Sequence, residues 1–162
     1  MTITYGKTSP QDMLAKGERD LLRLEAAELA QNNEAMSDAL IDLAVALTSI
    51  KDWLKEHQGA SFTPAQVENY VAGSTALNTF RDIANDGKHR VIRKYTPQTM
   101  SVTTSAVSSF LVPVTVNARE LPKPFYRLKI FRKDGSSYRA VELGRGAVRE
   151  WQVFLKSHGL SA

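Results

Sequence analysis

The chain contains no cysteine in its 162 residues. Disulfides and thiolate metal sites are therefore excluded, and a reducing, cytoplasmic setting is the expectation. It has no apolar run near the ~20 residues that a membrane helix needs, so no membrane partner is expected. The first residues, Met1-Thr-Ile-Thr-Tyr-Gly-Lys7, have no apolar core of the kind a secretory leader carries. Acidic residues are scarce in the second half. Residues 88–162 carry 14 Lys and Arg against 4 Asp and Glu, a net +10, whereas residues 1–87 carry 7 against 13, a net −6. A surplus of this kind attracts a nucleic-acid backbone or an acidic protein. It also arises when two halves attract each other, or when a sheet face is simply solvated.

What is present argues for a folded protein. At 43% hydrophobic, the chain is too apolar for disorder and long enough for one domain with a proper core. The domain is read as residues 1–162, with a helical part over about 9–89 and a strand-and-helix part over about 90–162. Ser9-Pro10-Gln11-Asp12 is a helix start, with Ser9 as N-cap, Pro10 at the first helical position and Asp12 favoured by the dipole. That helix should reach about Gln31, where Asn32-Asn33 interrupts it. A second is expected over roughly 34–57, with Leu40, Leu43, Leu47 and Leu54 on one face and Gly59 as its exit. Thr63, Pro64 and Gln66 form a capping box, and Phe62 and Val67 occupy the positions of a hydrophobic staple. Gly73-Ser74 should kink this third helix or split it, with Ser74 capping the new segment. Three amphipathic helices with short links argue for a bundle-like layer.

After His89 the period changes from about 3.6 to 2. Met100 to Asn117 is rich in Val, Thr and Ser and suits strands, with Pro113 marking an edge or bulge. Leu121-Pro-Lys-Pro124 reads as a linker. The segments 125–132 and 138–143 flank Lys133-Asp-Gly-Ser-Ser137, a hairpin signal. A terminal helix over about 145–158 follows, with Val148, Trp151, Phe154 and Leu155 on one side and packed on the sheet. Gly159 and Leu160 should close it in a Schellman arrangement. The class is therefore α+β: a three-helix layer, an antiparallel sheet of three or four strands, and a C-terminal helix.

The densest chemistry lies between Phe80 and Arg90, which holds Arg81, Asp82, Asn85, Asp86, Lys88 and His89. On a helix Arg81 and Asn85 are neighbours, and Asp82, Asp86 and His89 form a second set. Four readings stay open. His89 acts as general acid or base with Arg81 stabilising charge and Asn85 orienting, which suffices for metal-free RNA cleavage by the 2′-hydroxyl. Asp82, Asp86 and His89 hold a divalent metal, although no second ligating element is evident. Lys88, His89, Arg90, Arg93 and Lys94 form a phosphate-contacting strip. Or Asn85-Asp86-Gly87 is a helix end, with Arg81 and His89 tied into the fold. No cofactor is expected. His57 and His158 suit the negative ends of helices. Gly144-Arg-Gly-Ala lacks the setting of a phosphate loop and reads as a helix start. Phe125, Tyr126, Phe131 and Tyr138 alternate with Arg127, Lys129, Arg132 and Arg139, a mixture that stacks bases and holds phosphates, and also one that any half-buried hairpin shows.

Asp82, Asn85, Lys88 and His89 make a D-x-x-N-x-x-K-H segment. It resembles a pattern in small bacterial and mobile-element proteins of unknown role that combine a helical first part, a β-hairpin and a terminal helix with a Trp, here Trp151. The chain is also distantly similar to the HEPN superfamily, helical bundles that include toxin and antiphage RNases. Their signature is an Arg, usually followed by a polar residue, with a His a few residues beyond. Arg81-Asp82 and His89 keep that order, with seven residues intervening. The resemblance implies a metal-independent RNase with Arg81 and His89 as its central pair. The residues themselves favour a non-enzymatic binding module. Its candidate polyanion contacts are Lys88, Arg90, Arg93, Lys94, Arg127 and Lys129, and its candidate partners are nucleic acid, an acidic protein or a second copy of the chain.

Overall fold

The computed structural model of the chain describes residues 9–57, 61–86, 99–107 and 125–160. Among these are α1 (Pro10–Leu29), α2 (Asn33–Lys55), α3 (Pro64–Gly73), α4 (Thr75–Asp86), β1 (Thr99–Val107), β2 (Phe125–Arg132), β3 (Ser137–Arg139) and α5 (Ala140–Ser157). The class is α+β: a helical layer, a three-stranded antiparallel sheet in the order β1-β2-β3, and a C-terminal helix. Gly59, Pro113 and the 121–124 linker lie outside the described residues.

Local chemistry sets most helix starts. Ser9 Oγ accepts from the Asp12 N–H at 3.2 Å, and Asn32 Oδ1 accepts from the Ala35 N–H at 3.0 Å. The capping box of α3 is complete, with Gln66 N–H to Thr63 Oγ1 at 3.3 Å and Thr63 N–H to Gln66 Oε1 at 2.7 Å. Ser74 Oγ accepts from the Leu77 N–H at 3.0 Å, so the third predicted helix is divided into α3 and α4. Each cap contributes about 1 kcal/mol. Leu24, Met36, Leu43, Leu47, Ile50 and Phe80, each at most 1% exposed, form the centre of the core.

The largest departure from the sequence reading is at the start of α5. Residues 138–143 were expected as a strand and the helix from about 145. The strand ends at Arg139 and the helix begins at Ala140. The cause is tertiary. Ala140, Val141, Gly144, Ala147, Val148 and Trp151 share one buried helical stripe. That stripe enters the helical layer against α1, α2 and α4, and also touches β2 and β3, so the helix is not packed on the sheet alone. Gly144 makes this possible: a Cβ there would lie 2.9 Å from Leu21 Cδ1 and 3.1 Å from Leu43 Cδ2. The far end matches the expectation. Leu160 N–H donates to Leu155 O at 2.8 Å and Gly159 N–H to Lys156 O at 3.2 Å, with Gly159 at φ +71°. This is a Schellman motif.

The sheet presents two different faces. Along β2, Leu128, Ile130 and Arg132 are buried, while Phe125, Arg127, Lys129 and Phe131 on the opposite side are half-buried. The β2–β3 turn is held by Asp134, whose carboxylate accepts from the Ser136 hydroxyl and, at 2.9 Å, from its N–H. Those bonds hold the Asp134 carboxyl below the usual carboxylate range. β3 pairs with β2 only from Lys129 to Phe131. Beyond it, Gln31 serves as a substitute neighbour. Its Nε2 donates to Tyr126 O at 3.0 Å and its Oε1 accepts from the Tyr126 N–H at 2.5 Å. Gln31 sits at φ +56°, closing α1. Two hydrogen bonds of about 1 kcal/mol each offset the roughly 1–2 kcal/mol cost of a left-handed non-glycine residue.

Candidate functional site

α4 carries the first part of the Phe80–Arg90 segment, and its residues divide between surfaces. Asp82 lies on the inner side, 2% exposed, and its Oδ2 accepts the Thr99 N–H at 2.9 Å. The carboxylate thereby ties the first residue of β1 to α4. Arg81 lines another side, at a cavity of about 10 Å3 with Thr48 and Lys51 of α2 and Trp151 of α5. That is room for about one water. Asn85 follows Arg81 by one turn and is half-buried, whereas Asp86 is exposed. Gly87, Lys88, His89, Arg90, Arg93 and Lys94 lie outside the described residues. Asp82→Ala should cost about 2 kcal/mol of stability in urea unfolding, because a charge-assisted bond is lost and a partly buried N–H is left without it. Asp82→Asn should cost less, since the amide oxygen still accepts.

Part of the basic surplus is used inside the fold. Arg139 reaches Glu28 at 3.0 Å and Glu142 at 2.6 Å, and Arg145 reaches Glu25 at 2.8 Å. The pairs with Glu28 and Glu25 join the basic half to the acidic face of α1, the mutual attraction that the charge asymmetry allowed, whereas Glu142 lies on α5 itself. Arg132 is 8% exposed; its guanidinium donates to Thr79 Oγ1 and, at 3.3 Å, to Thr75 O, fastening β2 to α4. His158 caps α5, with Nδ1–H donating to Phe154 O at 2.8 Å and the ring stacked on Phe154. It is a structural histidine at a helix end, as its position implied. His57 is exposed just past the α2 cap.

Arg127 and Lys129 are used differently. They lie two residues apart on the outer face of β2, between Phe125 and Phe131. Among the described residues neither is in an ion pair. The Arg127 guanidinium carbon is 5.5 Å from the Phe125 ring centre, and Lys129 Nζ is 6.0 Å from that of Phe131. Across the ladder, Ser101 stands opposite Phe131 and Thr103 opposite Lys129, both exposed. The three strands together carry four Arg or Lys and no Asp or Glu. The sequence named these aromatics and cations as one mixture; the fold separates them. Tyr126 and Arg132 fall on the other face, and Arg139 goes to Glu28 and Glu142. Ser101 carried no signal until the β1–β2 register placed it. Among the described residues, no group of His, Cys, Asp and Glu is arranged to hold a metal ion. Comparison with protein-family models, with curated proteins and with solved structures finds no match.

Proposed function

We propose that this protein is a non-enzymatic binding module that holds a polyanionic partner across the outer face of its sheet. The observation that carries this reading is the Arg127–Lys129 pair, two outward cations without ion pairs among the described residues, on strands that contain no carboxylate. Arg132, Arg139 and Arg145 are already held by protein oxygens. Lys133, Arg149 and Lys156 are exposed as well, but among the described residues Arg127 and Lys129 are the cations that stand between two aromatic rings on one sheet face. Among the described residues, the cavity that Arg81 lines has room for about one water.

Heparin tests the reading. Its affinity for the full chain should fall steeply as salt rises, because bound cations release counterions from the polyanion. The Arg127→Ala/Lys129→Ala variant should bind more weakly, with a slope in log affinity against log salt shallower by about 1–2. A flat response in the wild type would remove the proposal. The RNase alternative rests on Arg81 and His89 and is separated with the same preparation. Metal-free RNA cleavage that is lost in His89→Ala would replace the binding reading with a catalytic one.

A further inference from the structure

Resting on that reading, we infer that the polyanion is a single-stranded nucleic acid, with bases stacked on Phe125 and Phe131 and phosphates against Arg127 and Lys129. The order along the outer face of β2 is aromatic, cation, cation, aromatic. Like-facing residues on a strand are ~6.8 Å apart, about twice the 3.4 Å step of each strand in a stacked duplex. A duplex keeps its bases paired and offers the sheet mainly phosphates, which gives half-exposed rings no partner. An unstacked strand presents bases and phosphates in turn, and sequence-tolerant binders meet it with rings and cations in the same groove.

The geometry fits that use. Each ring has a cation over one face, Arg127 at 5.5 Å from the Phe125 centre and Lys129 at 6.0 Å from that of Phe131, so a base stacks on the other face. A base on the ring thus finds a phosphate partner within the same pair of residues. The exposed Ser101, opposite Phe131, adds a hydroxyl suited to sugar or phosphate oxygens. No carboxylate on the three strands repels the backbone. An acidic protein would satisfy the two cations and leave both rings without a role.

The test compares labelled single-stranded RNA and DNA of mixed sequence, the matching duplex, polyglutamate and heparin on the full chain. The single strands are expected to bind at least tenfold more tightly than the duplex. The Phe125→Leu/Phe131→Leu variant should lose on the order of tenfold or more for single strands, a far larger loss than it shows for heparin. Phe131→Trp keeps a stacking surface and should hold the wild-type affinity; it carries the test if the leucine variant melts early. Equal affinity for duplex and single strand, a neutral ring substitution in a folded variant, or preferential binding of polyglutamate would each overturn the inference. In all three cases salt-sensitive heparin binding leaves the polyanion module standing. Loss of heparin binding in the wild type removes both.

Discussion

Trp151→Ala is expected to lower the free energy of unfolding by about 3–5 kcal/mol, and the melting temperature by roughly 10 °C for a chain of this size. Trp151 is 1% exposed and is the largest fully buried side chain among the described residues. Its Nε1–H donates to Leu47 O at 3.0 Å, which fastens α5 to α2. Its ring lies 5.9 Å from that of Tyr70 on α3 and 5.8 Å from Phe154. The Tyr70 hydroxyl in turn donates to Glu150 O at 2.9 Å. Removing the indole opens a cavity where three helices meet, and rigid helices close such a space only in part. Trp151→Phe retains most of the volume and should cost markedly less. Urea unfolding at constant slope measures both; a loss under 1 kcal/mol for the alanine variant would mean that α5 is not anchored at this point.

Gly144→Val should destabilise by about 3 kcal/mol, the upper end of the usual overpacking range. A Cβ at 144 already meets Leu21 Cδ1 at 2.9 Å, Leu43 Cδ2 at 3.1 Å and Phe80 Cζ at 3.6 Å. The two further methyls of valine have nowhere to go unless α5 lifts away from α1 and α2. Gly146 is the control on the same helix. The nearest atom to a Cβ there is that of Ala76, at 4.0 Å. Gly146→Ala should therefore stabilise by roughly 0.5–1 kcal/mol, the ordinary gain of alanine over glycine in a helix. Thermal melts of the two variants should move in opposite directions. Movement in the same direction would refute the close approach at Gly144.

Helix ends were legible because their chemistry is local. Ser9, Asn32, Thr63 and Ser74 each receive a backbone N–H three residues on, so a short window of sequence contains both partners. The Schellman end at Gly159 and Leu160 has the same character. The start of α5 was not legible. Tyr138 to Leu143 follows a hairpin signal and so reads as its second strand, and the helical alternative gains its energy from burying Ala140, Val141 and Gly144 against helices distant in the chain. Gln31 was missed for a related reason, since its left-handed backbone is offset by bonds to Tyr126, 95 residues away.

The candidate site divides in the same way. By its residue pattern and charge distribution the chain determined an α+β class, an acidic first half, a basic second half and a set of aromatic and cationic residues in β2. Composition says nothing about which charges are spent within the fold. That was decided by tertiary structure, because an ion pair needs two groups within a few ångströms of each other. Arg139 and Arg145 meet Glu28 and Glu25 of α1, and Arg132 is enclosed against α4. Asp82, which the sequence grouped with Asp86 and His89 as a candidate metal ligand, became the anchor for Thr99. Arg127 and Lys129 remain directed outward because strand alternation places them opposite Leu128 and Ile130, whose burial holds β2 to the helices.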